Sequence, residues 1–302
     1  MVYDIVIIGA GPAGLTAALY GRRAGRTVLL LESGIPGGQA ATSAEVENWP
    51  GTRRVLGAEF ATSLVEQVQE LGAELQYDGA VSVQVTPEEI KQVTGASGKV
   101  YEGRTLILAN GVKRRKLGVP GEEEYLGRGV SYCATCDGAF FRGREVAVVG
   151  GGSAALEDAL YLAGVCPKVH LIHRRDEFRG EVHLSKKVRE TPNIILHLKR
   201  NVTEIVGDKA VVGVKLTDGQ TEEFLPCSGV FLAVGLVPDN APFANLFPLT
   251  EAGYLEVGED CRTPVPGVFA AGDTRKKELR QLVTAAADGA IAAHGVESYL
   301  NR

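Results

Sequence analysis

Two stretches of the chain share one order of apolar and polar positions. The first opens with the apolar run Tyr3–Ile8, rich in Ile and Val, which predicts a buried strand. It breaks at Gly9-Ala10-Gly11-Pro12-Ala13-Gly14. Leu15, Ala18, Leu19 and Arg22 then recur at helical spacing, and Thr27–Leu31 predicts a second strand. The second stretch opens with Glu145–Val149 and breaks at Gly150-Gly151-Gly152-Ser153-Ala154-Ala155. It is helix-like over 156–164 and strand-like over 168–172. Strand, glycine turn, helix and strand, twice over, predict an α/β fold with two Rossmann-like dinucleotide-binding domains. The longest uncharged run, 5–21, is interrupted by Gly9, Gly11, Pro12 and Gly14. It therefore reads as strand, turn and helix rather than a membrane span, which needs about 20 predominantly apolar residues.

The residues at each turn suit a phosphate. Gly9 permits the tight bend and Gly11 lets backbone approach a pyrophosphate. Gly14 lets helix and strand pack closely, and Pro12 and Ala13 open a helix whose N-terminus faces the phosphates. Glu32, 18 residues after Gly14, ends the second strand, where a carboxylate holds a ribose hydroxyl. In the second turn Gly150, Gly152 and Ala155 fill the small positions, with Ser153 and Ala154 between them. Its following strand ends not in an acid but in His173-Arg174-Arg175-Asp176-Glu177-Phe178-Arg179. Arginines there remove repulsion toward a 2′-phosphate and supply forked donors for it. The first site thus suits a dinucleotide with a free ribose hydroxyl and the second suits NADPH. Two such sites predict two cofactors that exchange electrons, FAD and NADPH.

Between the turns lies Cys133-Ala134-Thr135-Cys136, followed by Asp137. A structural zinc takes four ligands, and no second C-x-x-C or histidine pair accompanies this one, so no metal is expected. A redox dithiol fits better: the spacing allows a disulfide across one turn, and the reduced pair can share a proton. Asp137 could carry a proton for a departing sulfur, or could only cap a turn. Cys166, Cys227 and Cys261 are expected to be buried packing residues.

Composition narrows the class. The chain has 302 residues, 45% hydrophobic and 23% charged, which fits about two globular domains and excludes a disordered chain. With 32 basic and 37 acidic side chains the formal charge is −5, so neither nucleic acid nor an anionic membrane is an expected partner. The start Met1-Val2-Tyr3-Asp4 carries no basic targeting segment, which makes the cytoplasm the expected compartment.

Taken together, these segments resemble the low-molecular-weight, bacterial-type thioredoxin reductases over nearly the whole chain. The resemblance rests on Gly9–Gly14, Gly37-Gly38-Gln39, Glu47-Asn48-Trp49-Pro50-Gly51, Cys133–Gly138, Gly150–Ala155, His173-Arg174-Arg175 with Arg179, and Gly267–Asp273 followed by Arg280-Gln281. It implies a discontinuous FAD domain, 1–112 and 243–302, with an NADPH domain, 113–242, inserted and carrying the dithiol. It implies that Gln39 and Asn48 approach the flavin, that Asp273 holds its ribityl chain, that Gly38 and Gly272 bind the cofactor beside them, and that Arg280 and Gln281 lie near its ring. By the same resemblance Cys136 is the flavin-proximal sulfur, Cys133 attacks the disulfide of thioredoxin or a thioredoxin-like small protein, and Asp137 is the acid. The family is dimeric, so a homodimer is expected. One rigid arrangement can hardly bring nicotinamide, dithiol and a bulky partner to one flavin, which predicts rotation of the inserted domain. Asn110 stands where the family usually has Thr, and Ser153-Ala154 where it has Asn-Thr. The charged segment 274–279 has no counterpart in this reading. A flavin dithiol oxidase, a reductase for a peroxidase or glutaredoxin-like protein, and an NADPH-responsive sensor are the alternative readings.

Overall fold

The computed structural model describes residues 1–43 and 45–301. Two compact units emerge, one formed by 1–113 with 237–302 and the other by 114–236. The second boundary lies a few residues ahead of the 242/243 expected from sequence. Asn240 explains why: its side chain is 1% exposed and belongs wholly to the first unit.

In chain order the first unit begins with β1 (Val2–Ile8), α1 (Pro12–Arg23), β2 (Val28–Leu31), β3 (Glu45–Val46), β4 (Val55–Leu56), α2 (Gly57–Glu70), β5 (Glu74–Gln76), β6 (Ala80–Val85), β7 (Lys91–Gly95) and β8 (Val100–Leu108). β9 (Val112–Arg114) makes the first crossing. The second unit holds β10 (Val130–Ser131), α3 (Ala134–Asp137), β11 (Glu145–Gly150), α4 (Ser153–Ala163), β12 (Lys168–His173), α5 (Val182–Glu190) and β13 (Ile194–Leu198). It continues through β14 (Asn201–Gly207), β15 (Val211–Thr217), β16 (Glu222–Pro226) and β17 (Gly229–Ala233). β18 (Leu236–Pro238) returns the chain to the first unit, which closes with β19 (Val268–Ala270) and α6 (Leu282–Leu300).

The first unit's main sheet runs β5-β2-β1-β8-β7-β6, with β19 also on β8. β1 is parallel to β2 and β8, whereas β7 is antiparallel to both β6 and β8. Both faces of β1 are covered, which is why its sequence is a continuous apolar run rather than an alternation. Ile5 and Ile7 pack with Leu15, Ala18, Ala292 and Val296 on one face, while Val6 and Ile8 pack with Leu106, Phe243 and Leu255 on the other. The second unit repeats the scheme in a parallel sheet ordered β10-β17-β11-β12-β13, beside a three-stranded antiparallel sheet β14-β15-β16.

Where β8 ends, Asn110 ties three parts of the first unit together. Its Nδ2 donates to the Asp239 carbonyl (2.9 Å) and to Asn240 Oδ1 (3.0 Å), and its Oδ1 lies 3.1 Å from the Thr274 hydroxyl. Asn240 in turn donates to the carbonyls of Gly253 and Thr274, both at 3.0 Å, and accepts from Thr274 Oγ1 at 2.6 Å. Replacing Asn240 with Ala strands several buried polar groups, so we expect a loss of about 2–3 kcal/mol in denaturant unfolding. An unchanged unfolding midpoint would show that the network contributes no stability.

Candidate functional site

In the first unit the site grows from the turn between β1 and α1. Gly9 has a φ of +99°, and a β-carbon there would lie 2.3 Å from the Ala109 carbonyl oxygen. A β-carbon at Gly14 would lie 1.9 Å from the Gly9 carbonyl oxygen. Gly11 differs, because a β-carbon there would meet nothing within 4 Å. No protein packing requires glycine at 11; the space over it is open. α1 begins with Pro12 at its first turn, and Gly11 caps it without a side-chain hydrogen bond, so the first-turn N–H groups face outward unclaimed by a cap. Glu32 stands beside the turn, its Oε2 accepting from Ala10 N–H (2.8 Å) and its Oε1 from Gly34 N–H (2.7 Å).

The last segment of the chain returns to this turn. Gly289 of α6 abuts Ala13 of α1, where a β-carbon would lie 2.2 Å from the Ala13 carbonyl oxygen, and a β-carbon at Gly272 would lie 2.8 Å from Ala13 Cβ. The single 3₁₀ turn Gly272–Thr274 thereby sets Asp273 next to the start of α1. Asp273 Oδ1 is buried and has no hydrogen-bond partner, and the same holds for Arg280 Nε. Burial pushes the Asp273 carboxyl up, against the pull of Lys277 and Arg280. The Arg280 guanidinium lies 4.3 Å from the centre of the Tyr254 ring. Gln281 caps α6, accepting from Thr284 N–H and from Asn48 Nδ2 (3.0 Å). Gln39, in the 3₁₀ turn Gly38–Thr42, donates to the Val112 carbonyl (3.0 Å), and a β-carbon at Gly38 would approach Gly11 Cα to 3.2 Å. Sequence positions 9–14, 32, 38, 39, 48, 272, 273, 280 and 281 thus gather in one unit. Open space over Gly11, uncapped helix N–H groups and two orphaned polar atoms are what a dinucleotide flavin would fill, so the residues fit FAD.

The second unit shows the same steric logic. A β-carbon at Gly150 would lie 2.4 Å from the Ala233 carbonyl oxygen, whereas at Gly152 it would meet nothing within 4 Å. Ala155 fills the third small position and is fully buried. Ser153 Oγ accepts from Glu181 N–H (3.1 Å), and Ala154 is exposed. The loop after β12 is strapped to the turn by Arg179 N–H donating to the Gly151 carbonyl (2.7 Å). Arg174, Arg175 and Arg179 are exposed and crowd His173, lowering its basicity further after burial has done most of it. The acids of this loop are spent elsewhere, Asp176 on Lys199 (3.5 Å) and Glu177 on Arg189 (3.0 Å). Among the described residues the three arginines are therefore left without a carboxylate, as a 2′-phosphate site requires. His173 occupies a different place from the arginines. It is 8% exposed, lies against Gly151, and its Nε2 is 3.2 Å from the Glu177 carbonyl oxygen, so it props the turn from beneath.

The dithiol is oxidised: Cys133 and Cys136 are joined by a disulfide, with their Cα atoms 5.3 Å apart. Cys133 caps α3, its Sγ accepting from Cys136 N–H at 3.2 Å, which favours negative charge on Cys133. Asp137 stands at the start of the 3₁₀ turn Gly138–Phe141 but makes no side-chain capping bond there. Its Oδ2 accepts from the Ser131 hydroxyl at 2.6 Å, and Ser131 Oγ accepts in turn from Cys133 N–H at 3.0 Å. Ser131 escaped the sequence reading, though its place two residues before the first cysteine is a usable signal. Behind it the Tyr132 hydroxyl donates to Glu122 (2.5 Å), a carboxylate that is 2% exposed and also accepts from Leu117 and Gly118 N–H. Cys166, Cys227 and Cys261 are buried free thiols, and burial pushes Cys227 and Cys261 up to about 12.

The family model for pyridine nucleotide-disulphide oxidoreductases matches residues 3–289. The chain belongs to that family. It is 46% identical to a thioredoxin reductase of Listeria monocytogenes over 99% of this chain and 94% of that one. It is 45% identical to a thioredoxin reductase of Bacillus subtilis over 99% and 95%. Among solved structures, thioredoxin reductase of Lactococcus lactis superposes with a TM-score of 0.95 at 39% identity, covering 99% of both chains.

Gly11 has φ −78° and ψ −177°, a conformation open to any residue. Gly11→Val should therefore cost the apoprotein only about 1 kcal/mol, the loss of a favourable helix cap, and leave it folded. It should weaken FAD binding by about tenfold or more by filling the open space. Wild-type FAD affinity in this variant, read by flavin fluorescence quenching, would place the dinucleotide elsewhere.

Proposed function

We propose that this chain is an NADPH-dependent, FAD-containing thioredoxin reductase, with the first unit as the FAD domain and the second as the NADPH domain carrying the dithiol. The observation that carries the reading is the Cys133–Cys136 disulfide set beside a hydrogen-bonded carboxylate in a chain with two dinucleotide turns. The thioredoxin reductase relatives support thioredoxin, or a thioredoxin-like small protein, as the partner. Among the described residues no helix is long and apolar enough to cross a membrane. A cytoplasmic homodimer is the form in which we expect the protein to act.

Residues around Gly11, Glu32, Gly38, Gln39, Asn48, Asp273, Arg280 and Gln281 would hold FAD, and Gly152, Ser153, Ala154, Arg174, Arg175 and Arg179 would hold NADPH. When bound, FAD supplies a relay for two electrons from NADPH to the disulfide. The geometry supports the following chemistry for the chain's own thiols. Cys133 Sγ, as thiolate, attacks one sulfur of the partner's disulfide, forming a mixed disulfide and expelling the other partner sulfur as a thiolate. Cys136 Sγ then attacks Cys133 Sγ, re-forming the internal bond and releasing the second partner sulfur. The partner gains two electrons, this dithiol loses two, and the two thiol protons pass to the partner. Asp137, held by Ser131, is placed to carry one of them. The hydrogen bond from Cys136 N–H keeps charge on Cys133, the sulfur that must be nucleophilic.

One assay separates the reading from its rivals: NADPH oxidation with and without oxidised thioredoxin, run both anaerobically and in air. Turnover that requires thioredoxin is expected, and Cys133→Ser should abolish it while NADPH still bleaches the flavin. NADPH consumption driven by oxygen alone would favour an oxidase. Arg175→Ala should raise the KM for NADPH by about tenfold, the loss of one hydrogen bond to a charged group, and leave the KM for NADH unchanged. Equal effects on both nucleotides would refute a 2′-phosphate role.

A further inference from the structure

The charged segment 274–279 lies only in part on the surface: Lys276, Glu278 and Leu279 are exposed, but its other two charges are not. Arg275 is 2% exposed, and the Lys277 side chain is 6% exposed. Both turn inward onto Asp288, which is 3% exposed in the middle of α6. Asp288 Oδ2 accepts from Gly272 N–H (2.9 Å), Arg275 Nε (2.8 Å) and Lys277 Nζ (2.8 Å), and its Oδ1 accepts from Arg275 Nη2 (2.8 Å). Burial alone would raise this carboxyl. The bonds from Arg275 and Lys277 carry it below the usual carboxylate range, so it stays charged.

These donors come from the segment that carries the orphaned polar atoms. Gly272 immediately precedes Asp273, and Lys277 sits between Asp273 and Arg280. Lys277 also acts electrostatically on Asp273, as Arg280 does from the same loop and Asp288 from α6. Building on the FAD reading, we infer that Asp288 is a positioning residue for the flavin: by gathering Gly272, Arg275 and Lys277 onto one carboxylate, it fixes the turn that presents Asp273 and the loop that presents Arg280. Neither Asp288 nor Lys277 need touch the cofactor. A buried carboxylate with four donor contacts leaves the turn a single position, so the Asp273 and Arg280 atoms that lack partners are pre-set before ligand arrives.

The rival is a purely structural role, in which Asp288 only neutralises Arg275. Two variants separate them, measured on full-length protein stripped of flavin and titrated with FAD. Asp288→Asn keeps the size and one acceptor for Gly272 N–H, but turns a donor toward the cations. Lys277→Met keeps the Arg275–Asp288 pair intact. We expect the FAD dissociation constant to rise about tenfold or more in Asp288→Asn and several-fold in Lys277→Met. The visible circular dichroism of the bound flavin should shift in both, with NADP⁺ affinity unchanged. A structural role predicts an earlier melting transition but wild-type FAD affinity and spectrum. That result in both variants, or in Lys277→Met alone if Asp288→Asn does not fold, overturns the inference while leaving the FAD reading intact. Failure of the wild-type chain to take up FAD overturns both.

Discussion

Strand, helix and neighbouring strand meet at each glycine turn too closely to admit a side chain, and the rest of the molecule is arranged around that closeness. Between β1, α1 and β8 the limiting contacts are Gly14 against the Gly9 carbonyl and Gly9 against that of Ala109. Between β11, α4 and β17 they are Gly150 against the Ala233 carbonyl and against Ala155 Cβ. Because the helix starts so near the sheet, its first N–H groups point out over the strand ends with no side chain to cap them. Each unit thus presents an electropositive helix terminus beside a glycine, Gly11 or Gly152, with open space above it. These two positions are glycines for the sake of what lies outside the protein. The others are glycines for the sake of what lies inside.

The two turns are equivalent, and the neighbouring strand end makes them different. After β2 the chain places one carboxylate, Glu32, rigidly held by the N–H groups of Ala10 and Gly34. After β12 it places three exposed guanidiniums and diverts the adjacent acids into pairs with Lys199 and Arg189. A carboxylate accepts from ribose hydroxyls and repels a phosphate, whereas unpaired guanidiniums do the opposite. On the proposed function, nucleotide choice rests on a few side chains at the end of one strand in each unit, and the sheets beneath need not differ.

Sequence carried those features well because they are local. A glycine turn between an apolar run and a helical period, or a C-x-x-C followed by an acid, is confined to a few residues. What sequence did not disclose depends on contacts between distant positions. The charge of segment 274–279 has no account from sequence until Asp288 is brought beneath it. The available signal was that Asp288 falls on the buried stripe of α6 with Ala285, Ala292 and Val296. His173 reads as one of a basic cluster, yet the missing side chain at Gly151 lets its ring fold under the turn. Asn110 reads as a neutral replacement for Thr. An amide can donate toward Asp239 and Asn240 at once, whereas a threonine hydroxyl has a single proton to donate. The boundary near 236 rather than 242 follows from the same network, because Asn240 is anchored to the first unit by Gly253 and Thr274.

The dithiol depends on a small side chain in the same way. The Ser131 hydroxyl has one proton and two lone pairs, and it uses both functions. It gives its proton to Asp137 and accepts the N–H of Cys133. The proposed proton carrier and the backbone of the proposed nucleophile are thereby referred to one oxygen at the end of β10, the edge strand of the parallel sheet. Cys136 contributes its own N–H to the opposite sulfur, so charge is favoured on Cys133. Thiol–disulfide exchange needs one sulfur that attacks outward and one that waits, with a proton store near both. In the proposed mechanism that asymmetry draws on two backbone N–H groups and the Ser131 hydroxyl, in a stretch of seven residues from Ser131 to Asp137.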